Sequence, residues 1–136
     1  MSLHVPHDTP RGVGEADGTI AQGRFVMSDG TGALVIQATG PGSVVIGVSS
    51  STAVDGDSIR CYIPGDYAMM QCGQALDITV SDDRDLTCAA DGQAVKADGA
   101  EQVLARWCPV PGEGNASAES FIKVLVLGFG WANVDA

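Results

Sequence analysis

The sequence predicts an all-β fold: a small barrel or sandwich of about eight or nine short strands, with an extended N-terminal arm. Three observations predict it. The apolar residues recur with a period of two, Asp-Gly occurs five times among 18 glycines, and no segment keeps a long 3.6-residue period. A chain of 136 residues is the size of one domain.

Two kinds of apolar pattern predict the strands. Three segments alternate apolar with polar residues, which places one face on a core; their apolar positions are Ile59, Cys61 and Ile63, then Leu76, Ile78 and Val80, then Val103, Ala105 and Trp107. Three further runs are apolar on both faces: residues 33–36, 44–48 and 121–127. Only Lys123 interrupts the last run, which we predict to be a central strand.

Turns and the core follow from the same pattern. Residues 86–90 and 93–97 flank Asp91-Gly92 and predict a hairpin with a two-residue turn. We expect the core to contain the apolar strand residues Ile46, Val48, Ile59, Cys61, Ile63, Leu76, Ile78, Val124 and Val126.

The chain divides into an arm, a body and a tail. Residues 1–18 hold both histidines and two of the six prolines without strand-like alternation, so we predict an extended N-terminal arm. Residues 19–130 form the predicted β-rich domain, with a surface loop at 111–120, and residues 131–136 form a C-terminal tail.

The charge balance excludes some partners. The net charge is -10, from 17 acidic and 7 basic side chains, so we expect no nucleic-acid partner. The longest apolar run, residues 124–127, is far below the roughly 20 residues of a membrane helix, and no membrane partner is expected. The N-terminus does not resemble a signal peptide, which predicts synthesis in a host cytoplasm.

Four cysteines lie 11, 16 and 20 residues apart without a Cys-x-x-Cys pair: Cys61, Cys72, Cys88 and Cys108. They could form two disulfides. Small buried thiols are favoured, because no export signal accompanies them and free cysteine is among the most buried residue types.

No residue pattern predicts catalysis, a metal or a cofactor. Gly56-Asp57-Ser58 resembles an esterase nucleophile block, but the only histidines that could serve as its base, His4 and His7, are in the arm. Those histidines with Asp8 could hold a metal, although a mobile arm positions ligands poorly. Asp82, Asp83 and Asp85 could surround a calcium ion, but they lack the ligand spacing of a known calcium loop, so a solvated turn is favoured.

The order of strands and turns resembles the small decoration, or cement, proteins of tailed-bacteriophage capsids. The resemblance covers residues 19–128 and includes Ile46-Gly47-Val48, the Pro64-Gly65 turn and the hairpin at residues 86–97. This chain departs from the pattern in the longer loop at 111–120 and in its four cysteines. The resemblance implies a β-barrel or β-tulip body, a homotrimer on local three-fold axes, and an N-terminal arm that contacts the major capsid protein.

The function expected from this resemblance is a structural virion protein that binds the outside of the capsid shell and stabilises it. Leu3 and Val5 alternate with polar residues and could enter pockets of a neighbour, while Pro6 limits any added strand to a sheet edge. We therefore expect Leu3, Val5 and Pro6 to contact the capsid. Two alternatives stay open: another virion or surface β-module, such as a fibre base or glycan-binding domain, and an all-β trimeric nucleotide hydrolase.

Overall fold

The computed structural model describes residue 10 and residues 12–30, 34–40, 44–99 and 101–127. Within these ranges the chain is all-β, as predicted, with ten strands and one short 3-10 helix. The strands are β1 (Gly12–Ala16), β2 (Phe25–Ser28), β3 (Leu34–Gln37), β4 (Val45–Ser49), β5 (Ser58–Tyr62), β6 (Tyr67–Gln71), β7 (Asp85–Cys88), β8 (Ala94–Lys96), β9 (Ala105–Trp107) and β10 (Phe121–Val126).

The strands form two units that follow the chain order. β1 to β5 close into a barrel in the order β1-β3-β2-β4-β5, and β6 to β10 form an open sheet in the order β6-β10-β9-β7-β8. All neighbours are antiparallel except β1 and β3, which pair in parallel with Glu15 opposite Leu34. Closure leaves the barrel without a free edge, whereas the open sheet ends in β6 and β8.

One hydrophobic core joins the barrel to the sheet. From the barrel it receives Phe25, Val45 and Val48, and from the sheet Met70, Leu86, Trp107, Ile122 and Val124. A second cluster comes from the barrel segment alone and contains Ala16, Ile20, Val26, Val35, Ala53, Ile59 and Cys61. Six of the nine predicted core residues are buried, and the other three, Ile46, Ile63 and Ile78, are half-buried.

The predicted arm ends earlier than expected. Residues 12–16, which the sequence places in the arm, form β1, and β1 pairs with β3 and with β5 to close the barrel. The inward-facing residues of β1 are small, so the sequence shows no apolar alternation there. At Gly12 a side chain would not fit, because a Cβ would lie 2.9 Å from Ile63 Cγ2. Close packing selects small residues here. Residues 1–9 and 128–136 lie outside the described residues.

The strand predicted at residues 76–80 is wrong. Only Leu76 makes a β-bridge, to Ala116. After Leu76, side chains accept the backbone N–H groups. Asp77 Oδ1 accepts from Thr79 N–H (2.9 Å), and Asn115 Oδ1 accepts from Ile78 N–H (2.9 Å). Aspartate and asparagine thus offer the backbone partners that compete with a sheet ladder.

The predicted hairpin at residues 86–97 is present as β7 and β8, with Cys88 opposite Ala94. Its turn is longer than two residues. Gly92 N–H donates to Ala89 C=O (3.0 Å), Ala89 N–H donates to Gln93 C=O (2.9 Å), and Gly92 has φ +84°. A three-residue loop with glycine in the left-handed region is a common hairpin connection.

Candidate docking face

The outer face of β6 and β10 is an apolar surface that the described residues leave partly open. Alternation along these paired strands brings six side chains to this outer face: Tyr67, Met69, Gln71, Phe121, Lys123 and Leu125. Met69 is 47% exposed and Phe121 44% exposed, while their strand neighbours Met70 and Ile122 are buried. None of the six is acidic, in a chain with 17 acidic residues.

A groove lies beside this outer face, where β5 and β6 meet. Its volume is about 310 Å³, and its walls are Tyr62, Tyr67, Ala68, Met69 and Lys123. The Lys123 ammonium lies 4.6 Å from the centre of the Tyr67 ring, within the range of a cation–π interaction. This tyrosine groove combines aromatic walls with one positive charge.

A polar network anchors β6 to the barrel. Arg24 Nη1 donates to Asp91 C=O (2.8 Å) and Arg24 Nη2 to Gln71 Oε1 (2.9 Å). Gln93 Nε2 donates to Gln71 Oε1 (3.1 Å) and to Glu119 Oε2 (3.0 Å). The network holds one end of the outer face against the barrel and the hairpin turn. Sequence analysis missed it, because Arg24 and Gln71 belong to different units and no local pattern links them.

Sequence analysis named candidate residues at the N-terminus and in the acidic segment 82–85. Leu3, Val5 and Pro6, the expected capsid contacts, lie outside the described residues, as do His4 and His7. The acidic segment 82–85 is partly engaged: Asp83 Oδ2 accepts from Asp77 N–H (2.8 Å), and Asp85 lies 3.7 Å from Arg106. In the described ranges, no three His, Cys, Asp or Glu side chains are placed to hold a metal ion.

The four thiols are free. Cys61, Cys72 and Cys88 are buried and Cys108 is half-buried. Burial raises the pKa of Cys61 and of Cys88 to about 11 from an ordinary 9.0, and it also raises that of Cys72. A thiol with a raised pKa carries little of the reactive thiolate, so these three are packing groups.

At the barrel end, a group of carboxylates forms an acidic patch. The pKa of Asp17 is raised, first by a side-chain hydrogen bond with Asp29 and also by the neighbouring charges of Asp29, Asp55 and Glu15. These four carboxylates make this end of the barrel acidic. The outer face of β6 and β10 differs from it, because none of its six side chains is acidic.

A small closed β-barrel joined to an open five-stranded sheet is the fold class of this chain. In a comparison with solved structures, it is similar to the N base of the head fibre protein gp8.5 of bacteriophage phi29. The TM-score is 0.64 at 16% sequence identity, over 84% of this chain and 90% of that chain. No protein-family model and no curated protein matches the sequence.

In the described ranges, no helix is long and apolar enough to cross a membrane.

Proposed function

We propose that this chain is a structural protein of a phage particle, a capsid decoration protein that binds the outside of the shell and stabilises it. The observation that carries the proposal is the likeness to the head-fibre base over most of both chains. The resemblance of the strand-and-turn layout to cement proteins supports the same conclusion from the sequence.

The outer face suits such a role. Interfaces have cores depleted of charge and enriched in aromatic residues and methionine, as this face is. In the proposal, the outer face meets the major capsid protein or a second copy of the chain within a homotrimer. Leu3, Val5 and Pro6 also contact the capsid in this proposal, since an extended segment can bind a sheet edge with few sequence demands. Many such contacts on one shell act together, so each can be weak. No chemical reaction is assigned to the chain.

A second candidate is the base of a head fibre. The named neighbour favours it directly, since that protein is itself a head-fibre base. Both candidates attach the chain to a phage head. They differ in what attachment does: a decoration protein stabilises the shell lattice, whereas a fibre base carries a further structure.

The test is binding to shells assembled from the major capsid protein of the same genome, followed by sedimentation. For a decoration protein we expect many copies per shell and a higher melting temperature of the shell. Few copies without that increase would favour a fibre base. Absence of binding, with a major capsid gene present, would contradict both.

A matched pair of variants tests the outer face in the same assay. Met69→Glu places a carboxylate on the face, and Val54→Glu places one on a barrel turn, where Val54 is 57% exposed. We expect Met69→Glu to reduce binding by tenfold or more, because the contact loses an apolar side chain worth about 1.5–3 kcal/mol when buried and must also desolvate a carboxylate opposite Lys123. Val54→Glu serves as the control and should bind like the unchanged protein. Equal binding by both variants would exclude the outer face as the contact.

A further inference from the structure

The Asp-Gly pairs of this chain are sites where aspartate can rearrange spontaneously to isoaspartate. There are five: Asp17-Gly18, Asp29-Gly30, Asp55-Gly56, Asp91-Gly92 and Asp98-Gly99. In this reaction the glycine nitrogen attacks the aspartate Cγ and a C–N bond forms. One carboxyl oxygen takes protons from the N–H and from solvent and leaves as water, which gives a five-membered succinimide ring.

Water then opens the ring at either carbonyl and yields aspartate or isoaspartate, so no cofactor or oxidant is needed. Glycine favours ring closure because it has no side chain to shield its nitrogen. Since glycine follows the aspartate in all five pairs, we expect them to react at similar rates in the unfolded chain. Differences between them in the folded protein are therefore set by the fold.

The fold engages the nitrogen in four of the pairs, because the glycine N–H already donates a hydrogen bond. The acceptors are Asp55 Oδ1 for Gly18 (3.0 Å), Ser28 Oγ for Gly30 (3.0 Å), Ala16 C=O for Gly56 (2.9 Å) and Ala89 C=O for Gly92 (3.0 Å). Such an N–H must break its hydrogen bond before the nitrogen can attack. These four pairs should therefore react more slowly in the folded protein than in the unfolded chain.

Asp98-Gly99 differs from the other pairs, and both of its residues are exposed. With the other residues that the structure describes, the Gly99 N–H donates no hydrogen bond and the Asp98 carboxylate accepts none. The turn around them is held by other atoms: Asp98 N–H donates to Glu101 Oε1 (2.8 Å), and Glu101 N–H donates to Asp98 C=O (3.0 Å). Gly99 N and Asp98 Cγ, the two atoms that react, are left free.

We propose that Asp98-Gly99 is a modification site of the folded protein, where isoaspartate forms faster than at the other four pairs. Asp98 lines a cavity of about 350 Å³ together with Asp82, Asp85 and Lys96. In isoaspartate the main chain runs through the side-chain carbon, so the turn between β8 and β9 gains one methylene group. The rearrangement reshapes one wall of this cavity and leaves the net charge unchanged. Neither the outer face nor a capsid takes part, so the reaction is independent of the proposed function.

Peptide mapping of the aged protein tests the proposal. The full-length protein is incubated at neutral pH, both folded and in guanidinium chloride, and is then digested with trypsin. Cleavage after Lys96 and Arg106 releases residues 97–106, in which Asp98-Gly99 is the only Asp-Gly pair. Electron-transfer fragmentation distinguishes isoaspartate from aspartate at each site.

In the folded protein we expect isoaspartate to form at Asp98 at least about fivefold faster than at the other four sites, since one hydrogen bond is worth about 1 kcal/mol. In guanidinium chloride we expect five similar rates.

A matched pair of variants alters the reacting groups. Asp98→Glu keeps the carboxylate, but its longer side chain would have to close a six-membered ring, so we expect no rearrangement within residues 97–106. Ser28→Ala removes only the hydroxyl that accepts from Gly30 N–H, so we expect isoaspartate at Asp29 to form about fivefold faster. Ser28 and Asp98 are exposed, so both variants should fold, and their thermal transitions check this.

Asp17 is the strongest competitor. The hydrogen bond with Asp29 raises the pKa of Asp17 and favours the neutral acid, from which water leaves more easily. Faster formation of isoaspartate at Asp17 than at Asp98 in the folded protein would overturn the proposal. So would a ranking of the five sites that persists in guanidinium chloride, because sequence and not the fold would then set the rates. An unchanged rate at Asp29 in Ser28→Ala would likewise refute the protection assigned to the hydrogen bonds.

Discussion

β4 and β10 share one sequence pattern, a short run apolar on both faces, but differ in how the fold covers them. Val45 and Val48 of β4 enter the core between barrel and sheet, and Ile46 packs against the cluster within the barrel. In β10, Val124 and Val126 enter the shared core, whereas Phe121 on the other face is 44% exposed. The same pattern thus yields a strand that packs on both faces in one unit and a partly open apolar face in the other.

The difference follows from topology. β4 lies within a closed barrel that also packs against a sheet, so both of its faces find cover in the chain. β10 lies in an open sheet with one face on the core. An apolar face that the described chain leaves uncovered is a marker of an interaction site. The comparison therefore favours β10 over β4 as the docking surface of the proposed function.

The largest loss of stability is expected from deleting a strand of the barrel. Deleting residues 2–16 removes β1 and leaves one edge of β3 and one edge of β5 without a partner strand, so we expect the cooperative thermal transition to disappear. Deleting only residues 2–9 stops before β1, and the transition should stay within a few degrees of the full chain. Circular dichroism during heating measures both. If the longer deletion unfolds as cooperatively as the full chain, closure of the barrel is not essential to the fold.

A pair of phenylalanines tests the comparison more sharply. Phe25 of β2 is fully buried in the shared core, whereas Phe121 lies on the outer face. Phe25→Ala is expected to lower the free energy of unfolding by about 3–5 kcal/mol. Phe121→Ala should lower it by roughly 1 kcal/mol or less, since substitutions away from the core cost little. Urea denaturation measures both values. Equal losses would mean that the outer face is a second core rather than a docking surface.

Sequence reasoning predicted those parts of the fold that local chemistry determines. The period-two runs predicted β5 and the apolar strands β3, β4 and β10, and Asp91-Gly92 predicted the hairpin of β7 and β8. It failed where side-chain hydrogen bonds replace strand pairing, as at residues 77–79, where Asp77 accepts from the Thr79 N–H. It also failed at β1, where close packing against Ile63 requires glycine and removes the apolar signal.

The candidate docking face was only partly within reach of the sequence. The run at residues 121–127 is visible as apolar on both faces, but whether its second face is covered depends on strand order. The tyrosine groove joins residues from β5, β6 and β10, and the Arg24 network joins loops from both units. Contacts of this kind arise from tertiary topology, which no local pattern of this sequence specifies.

The smallest expected effect is a loss of folding stability at alkaline pH, which we assign to the Cys61 thiol and not to Cys108. Cys61 belongs to the cluster within the barrel, and burial raises its pKa to about 11, against an ordinary 9.0. An unfolded thiol releases its proton near its ordinary pKa, so between these two values the unfolded chain binds fewer protons than the folded one. The stability that this protonated thiol contributes is full below pH 9.0 and is lost as the pH rises toward 11.

The loss assigned to Cys61 is at most about 2–3 kcal/mol, since one pKa unit corresponds to about 1.4 kcal/mol. Urea denaturation across this alkaline range measures it. Cys61→Ala should decrease more slowly in stability with pH than the unchanged protein, whatever its stability at neutral pH. Cys108→Ala, which removes the half-buried thiol beside β9, is the control and should keep the original slope. Identical slopes for all three proteins would show that the Cys61 thiol titrates alike in the folded and unfolded states.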